Sequence, residues 1–445
     1  MGRDDAAERQ PVSGRSLRLE SLEPRLLLSG GVEVTGVDFP AMQVGYWHSG
    51  NAEVRAYDTS GPVDIDANAI QVTFGTNDAV SSITLTGTQT MEGLGLFVKG
   101  SSLGSIKDSR TGTKGDLAFI AANCSVKSIQ INGNISGYDI NGATFGALTL
   151  PPDIDRDGSE ADSTAILTRA VPTIKVTGAV TGDVVILGDV SGMSLKSFTA
   201  GSLQGGLLTD GSAGKVSLSG TFGGLMRIDG SLSSLQIRGG NLSGSVLVQD
   251  VAGKLSVAGM KDKQTGLTTG GDVTSGARIY AGVSLSGLSV SGSMIGGWGD
   301  EDLLVQMCAP TMGSISVGGE IVNSRILAGT DLGADWDLGG SGEDADVFGM
   351  GTISKLTVKG DVHDSLIGAG LTTEDDTVFD LQWLHDNKAF IAGSTIKSGS
   401  IGGSLTSAWT DPGEPWGVGA ATLGKGKIGG TGMNLVFANE DLLAP

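Results

Sequence analysis

A short motif recurs along this chain: an apolar residue, any residue, a second apolar residue and, soon afterwards, a glycine. Clear copies begin at Ile129, Ile174, Val216, Leu235, Leu255, Leu288, Ile315 and Leu356, and weaker copies begin at Ile83, Leu148, Phe198 and Ile396. The copies at Val216, Leu235 and Leu255 are spaced by 19 and then 20 residues, whereas later spacings are longer. A short unit that tolerates insertions between its copies is typical of a solenoid.

The alternation inside each motif indicates a short β-strand with one face directed inward. Glycine and serine separate the strands, and these residues suit tight corners. The sequence therefore predicts an all-β fold, a single-stranded parallel β-solenoid (β-helix) of coils of ~19–20 residues with insertions. The alternative is an array of β-sandwiches, but sandwiches commonly have longer strands and more aromatic residues than the 5% found here.

Composition agrees with a thin, repetitive core. Glycine accounts for 74 of the 445 residues, against an average usage of about 7%. Hydrophobic residues make up 39% of the chain, which is too many for a disordered protein. The core is therefore expected to consist of Val, Ile, Leu, Ala and Met in repeated layers.

The formal net charge of -20 argues against nucleic-acid partners, which need a basic surface, and against docking on anionic lipid. The two cysteines, Cys124 and Cys308, are too far apart in sequence to indicate a disulfide framework or a zinc site, and we expect both to be buried. No apolar run approaches the ~18 residues of a transmembrane helix, and a standard signal peptide is also absent from the first 28 residues.

Four segments are predicted. Residues 1–30 are a disordered sorting segment, and residues 31–80 form an N-terminal β cap or a small β domain. Residues 81–430 contain the solenoid repeats with acidic insertions. Residues 431–445 form a C-terminal cap or tail.

The stretch "LESLEPRLLLSG", from Leu19 to Gly30, resembles the LEPR-XLL motif of exported and surface proteins of planctomycetes. The matching residues are Leu22, Glu23, Pro24, Arg25, Leu27 and Leu28. The resemblance covers about a dozen residues and implies export to the cell surface or the extracellular space. It implies no enzymatic activity and does not determine the fold of the residues after Gly30.

The insertion "PPDIDRDGSEADS" carries a candidate metal site. Asp153, Asp155 and Asp157 alternate and are followed by Gly158, which imitates the start of an EF-hand-type calcium loop. Position 12 of such a loop would be Thr164 rather than glutamate, so Glu160 or Asp162 would have to complete the site. Two interpretations stay open for this insertion: a solvated acidic loop, or a Ca²⁺ site formed by these five carboxylates.

Two further acidic insertions are predicted to be solvated loops projecting from one side of the rod, with a weak cation site as the alternative. The first contains Asp331, Asp335, Asp337, Glu343, Asp344 and Asp346, and the second contains Glu374, Asp375, Asp376 and Asp380. The three histidines, His48, His363 and His385, stand apart from one another in the sequence and indicate no catalytic constellation.

Together these observations predict an exported, non-catalytic structural or adhesive β-solenoid of the cell surface or the extracellular space. Its acidic loops would bind Ca²⁺, and its partners would be surface polysaccharide or other surface proteins; the sequence indicates no oligomeric state. The alternative is a polysaccharide-active parallel β-helix lyase or hydrolase, with Asp153, Asp155 and Asp157 holding calcium and Arg156 or Lys175 as the base.

Overall fold

The computed structural model describes thirteen stretches of the chain. They are residues 32–36, 51–55, 69–74, 80–86, 94–100, 102–108, 117–137, 163–188, 192–298, 303–333, 345–372, 390–406 and 417–429. Within them the chain winds through successive coils, and each coil adds one strand to each of two 14-stranded sheets. No helix among the described residues is long and apolar enough to cross a membrane.

We name the first of these sheets sheet A. Its strands, in spatial and chain order, are β1 (Val32–Gly36), β3 (Ala69–Phe74), β5 (Leu94–Lys99), β7 (Leu117–Ala122), β9 (Thr164–Thr168), β12 (Asp183–Ile186), β15 (Leu207–Thr209), β17 (Leu225–Ile228), β19 (Ser245–Val248), β24 (Arg278–Ala281), β27 (Val305–Ala309), β30 (Ser324–Ala328), β35 (Leu366–Ala369) and β38 (Gly417–Ala420).

The second is sheet B, which follows sheet A within each coil. Its strands are β2 (Asn51–Arg55), β4 (Val80–Thr86), β6 (Ser102–Asp108), β8 (Ser125–Ile131), β10 (Thr173–Val176), β13 (Met193–Ala200), β16 (Ser212–Leu218), β18 (Leu232–Arg238), β20 (Val251–Ala258), β25 (Ser284–Val290), β28 (Thr311–Val317), β33 (Thr352–Val358), β36 (Thr395–Ile401) and β39 (Thr422–Ile428).

A third side of the coil is formed by the short ladder, which consists of two-residue strands and single bridges. Its strands are β11 (Ala179–Val180), β14 (Ser202–Leu203), β23 (Val273–Thr274), β26 (Met294–Ile295), β29 (Ile321–Val322), β34 (Val362–His363) and β37 (Leu405–Thr406). Parallel bridges at Ile135, Phe222 and Leu242 complete it. Two antiparallel hairpins stand outside the coils: β21 (Met260–Lys261) with β22 (Thr268–Thr269), and β31 (Thr330–Asp331) with β32 (Val347–Phe348).

The register confirms the predicted parallel solenoid. Residues that the sequence motif aligned form one inward column of sheet B, since successive parallel pairs join Ile129, Ile174, Phe198, Val216, Leu235, Leu255, Leu288, Ile315 and Leu356. One weaker copy lies elsewhere. Ile396 pairs with Ile353 in a neighbouring column, and Gly399 takes the place beside Leu356.

The weak copy at Leu148 lies outside the described residues. Because β8 pairs directly with β10, sheet B has no coil between Ile129 and Ile174. The 19-residue spacing from Ile129 to Leu148 therefore does not reflect a coil of the stack.

The interior between the three sides is one continuous apolar cluster that runs from Ile83 to Ala420. Its members are mostly aliphatic residues, with Phe198 and Phe222 as the largest fully buried side chains. Each coil presents a thin layer of apolar side chains that only its neighbours can cover. Stacking is therefore what removes this surface from water and stabilises the fold.

Close approach between coils explains part of the glycine content. A Cβ atom added to Gly253, near the start of β20, would lie 1.8 Å from the backbone oxygen of Ser233 in the coil beside it. Such a contact is far inside van der Waals distance. Glycine allows the backbones to meet there.

The segment predicted as a cap contributes its strands to the same two sheets. β2 pairs in parallel with β4 in sheet B, and β3 pairs in parallel with β5 in sheet A. β1 is antiparallel to β3 and forms the first strand of sheet A. An antiparallel strand at this edge covers the hydrogen-bonding groups of the first parallel strand.

Candidate functional site

The residues that the sequence singled out for calcium binding and for sorting lie outside the described residues. These are Asp153, Asp155, Asp157, Glu160 and Asp162, and Leu22, Glu23, Pro24, Arg25, Leu27 and Leu28. The structure does show where the first acidic insertion departs from the stack. A Cβ atom on Gly137 would lie 2.6 Å from Oγ of Ser163, so the insertion leaves and re-enters the coil at one corner.

The second acidic insertion begins and ends against sheet A. The Tyr280 hydroxyl on β24 donates a hydrogen bond of 3.0 Å to Oδ2 of Asp331, and Asp346 is only 5% exposed. Burial first, and then the charge of Asp331, raise the pKa of Tyr280 to about 12. The expectation of a solvated carboxylate is therefore wrong for Asp346, whereas Asp331 is partly exposed. The described ends of the insertion pair with each other as the β31–β32 hairpin.

A buried apolar cluster accompanies these contacts. It contains Cys308, Leu327, Leu332, Leu366 and Leu371, with Tyr280 and Phe390 packed at its edge. Cys308 and Cys124 are free thiols and are buried, as expected. Burial raises the pKa of both thiols, and that of Cys124 reaches about 11. Neither thiol has the exposed, electropositive surroundings of a reactive cysteine.

Polar residues line the corner between sheet B and the short ladder. There the side chain of one coil accepts a hydrogen bond from the backbone N–H of the next coil. Asn241 Oδ1 accepts from Asp272 (3.1 Å), Asp272 Oδ1 accepts from Ser293 (2.8 Å), and Ser293 Oγ accepts from Glu320 (3.2 Å). These bonds satisfy backbone donors at the turn and tie adjacent coils together.

This column of hydrogen-bonded polar residues reaches Glu320. There Glu320, Asp361 and His363 form an acidic cluster with one histidine. Glu320 and Asp361 precede the paired strands β29 and β34, and one ligand atom from each residue and one from His363 lie within 4.8 Å of one another. Ser404 donates to Asp361 Oδ1 from its backbone N–H (2.5 Å) and its hydroxyl (2.8 Å). These two bonds, followed by the proximity of His363, lower the pKa of Asp361.

His363 is oriented from the opposite side. Its Nδ1 atom and the Thr406 hydroxyl form a hydrogen bond, while its Nε2 atom lies 3.9 Å from Asp361 Oδ2. Two carboxylates and an imidazole held in this way could ligate a borderline divalent ion such as Zn²⁺. Sequence reasoning missed Glu320 and Asp361, which are 41 residues apart. The only signal was the recurrence of polar residues just before the short ladder.

The outer side of sheet B forms a second distinctive surface. Strands β8 to β39 of this sheet contain no aspartate or glutamate, although the chain as a whole carries a net charge of -20. We use the term lysine face for the outward side of these strands, whose exposed lysines are Lys127, Lys175, Lys196, Lys215, Lys254, Lys355, Lys397, Lys425 and Lys427. Serine and threonine occupy most of the positions between them.

Of the residues weighed for an enzyme, the structure describes Lys175 and His363. Lys175 lies on the lysine face, whereas Arg156, His48 and His385 fall outside the described residues. His363 is partly exposed at the end of β34, and Asp364, which follows the strand with a φ of 45°, is buried. The described residues thus place no acid–base pair in a cleft with Lys175.

No family model, no curated protein and no solved structure matches the chain.

Proposed function

We propose that the chain is an exported, non-catalytic structural or adhesive protein of the cell surface or the extracellular space. The observation that carries this proposal is the unbroken apolar interior from Ile83 to Ala420, enclosed by ladders that continue from coil to coil. At ~4.8 Å per coil, fourteen strands make a stiff rod of roughly 60 Å. Such a body can hold surface features at fixed distances from one another.

The shape of the described surface supports a non-catalytic role over that of a polysaccharide lyase or hydrolase. A cleft opens near the last coils, and its lining is mainly aliphatic and glycine: Leu356, Ile396, Gly399, Ile401, Val418, Leu423, Gly426 and Ile428, with serine and lysine at its edge. General acid–base catalysis needs positioned titratable groups beside the substrate. The partly exposed Glu320, Asp361 and His363 lie on a corner of the rod.

Export is tested by locating a tagged full-length chain in cell fractions and by treating intact cells with protease. We expect the protein at the surface or in the medium. A variant with Glu23, Pro24 and Arg25 changed to alanine should remain inside, whereas changing Glu8, Arg9 and Gln10 to alanine should leave export intact. Retention of the unmodified protein in the cytoplasm would refute the surface role.

Catalysis is tested by incubating the purified protein with acidic polysaccharides and following chain length and unsaturated products. We expect no turnover. Sustained formation of shortened or unsaturated sugars that scales with protein concentration would replace the structural proposal with the enzymatic one.

The acidic loops are proposed to bind Ca²⁺, with Asp153, Asp155, Asp157, Glu160 and Asp162 as ligands, because carboxylates at alternating positions suit this ion. Calorimetric titration should show binding that is lost when Asp155 and Asp157 are both changed to alanine. A matched variant with Asp375 and Asp376 changed to alanine should retain it. Equal binding by both variants, or no heat with the unmodified chain, would show that the first loop is ordinary surface.

A further inference from the structure

The fold brings together on the lysine face positive charges that lie far apart in the sequence. Its nine lysines come from strands spread between residues 125 and 428, yet all of them are exposed on one side of one sheet. Among the described residues, none of these lysines forms an ion pair. A strip without carboxylates on an acidic protein is a local positive potential that attracts anions.

The lysines also follow the axis of the rod. One outward column contains, coil by coil, Lys215, Ser234, Lys254, Gly287, Ser314 and Lys355. At ~4.8 Å per coil, Lys215 and Lys254 are roughly 10 Å apart and Lys355 lies roughly 14 Å beyond them. Because the parallel ladder keeps the column straight, the charges face an extended ligand rather than a compact one.

The side chains between the lysines indicate which class of ligand the lysine face would bind. The outward positions offer hydroxyl groups, for example Ser256, Ser289 and Ser316, and these groups can exchange hydrogen bonds with sugar hydroxyls and carboxylates. Strands β8 to β39 of sheet B contain a single aromatic residue, Phe198, which is buried inside. Single-stranded nucleic acids are usually held by stacking on aromatic rings, and membrane surfaces by apolar anchors.

We propose that the lysine face binds a linear acidic polysaccharide laid along the axis of the rod, with lysines pairing its carboxylate or sulfate groups. This inference rests on the proposed surface function and names the partner and the face of that same rod. It also identifies which surface would be adhesive. The acidic loops, which would repel such a polymer, depart from corners of the coil rather than from the lysine face.

The test measures binding of the full-length chain to polygalacturonate, with uncharged dextran as the neutral polymer, at low and at high salt. We expect binding to polygalacturonate that weakens as salt rises, and none to dextran. Changing Lys215 and Lys254 to glutamine should raise the Kd by roughly tenfold or more. The matched control changes Lys261 and Lys263 to glutamine, since both are exposed near the β21–β22 hairpin outside the lysine face.

Several results would overturn the proposal. These are equal weakening by the two double variants, no binding to polygalacturonate, or tighter binding to single-stranded DNA or to phosphatidylserine vesicles. Sedimentation provides a further check: if the unmodified chain self-associates and the Lys215/Lys254 variant does not, the face binds a second copy instead. A surface-exposed protein that fails to bind polygalacturonate would contradict this inference and leave the surface role standing, whereas cytoplasmic retention would remove the role itself.

Discussion

Sheet A and sheet B are built by the same coils, yet their outer sides differ. In sheet A every residue of β7, β27, β30 and β35 is buried, so the outer side is covered at these strands as well as the inner side, although β17, β19 and β24 between them alternate. In sheet B, strands such as β28 and β33 alternate between buried and more accessible residues. A parallel sheet with both faces covered has near-continuous apolar strands, whereas one with a solvated face alternates.

The two sheets of one solenoid therefore differ in how much of their outer side is packed. Buried side chains such as Leu327 and Leu366 form an apolar layer on the outer side of sheet A. Sheet B keeps short polar and basic side chains outward and remains available for contact. The outer side of sheet A is therefore packed over those buried strands, whereas the outer side of sheet B is accessible.

The largest expected effect comes from removing a buried side chain from the outer layer of sheet A. Leu327 points away from the central core but is 0% exposed, so changing it to alanine should lower the free energy of unfolding by about 2–5 kcal/mol. Changing Lys355, on the lysine face, to alanine should alter it by no more than about 0.5 kcal/mol. Urea unfolding of both variants measures the contrast. Equal effects would mean that the two outer sides do not differ in this way.

A second prediction concerns the contact between coils in sheet B. Changing Gly253 to alanine places a Cβ atom 1.8 Å from the backbone oxygen of Ser233, and should cost about 1–3 kcal/mol of stability. Gly399 is the matched control, since a Cβ atom there meets nothing within 4 Å. Alanine at that position should be neutral or stabilise by about 0.4–1 kcal/mol. A neutral Gly253 variant would show that the coils are not in close contact at this position.

Alkaline pH should weaken the protein through Tyr280 and Cys124. Burial raises the pKa of Cys124 from 9.0 to about 11, and burial with the Asp331 charge raises that of Tyr280 from 10.0 to about 12. The folded state therefore retains protons that the unfolded chain releases, so this stability is present below pH 9 and is lost as pH rises towards 12. Unfolding midpoints measured across this range should fall.

Changing Tyr280 to phenylalanine provides the control for this titration. The variant should lose less stability between pH 10 and 12, because the phenol that resists ionisation is gone. An unchanged slope in the variant would show that Tyr280 ionises as easily in the folded protein as in the unfolded chain.

The smallest expected effect concerns the pKa of Asp361, at the partly exposed corner that also holds Glu320 and His363. NMR titration should give Asp361 a pKa below the ordinary 3.8, because two hydrogen bonds from Ser404 favour its charged form. This contribution to stability is present above the ordinary pKa and is lost as pH falls through the lowered value. Changing Ser404 to alanine should raise the Asp361 pKa and leave that of Asp262, which is lowered by its own loop, unchanged. No response at Asp361 would contradict the assigned bonds.

The sequence by itself determined the repeating strand and the column it forms. Val216, Leu235 and Leu255 can be assigned to one column because each alternates with polar neighbours and is followed by a glycine, a pattern that is local and independent of distant parts of the chain. It also predicted the burial of Cys124 and Cys308.

Only the tertiary structure decided which residues from different coils meet. Insertion lengths vary, so no spacing reveals that Glu320 lies beside Asp361, that the lysines share one face, or that Asp346 is buried. The physical reason is that the inward pattern is imposed by burial within every coil. The outer surface depends on the stacking register and on where each insertion leaves and re-enters the stack, and both are properties of the whole stack.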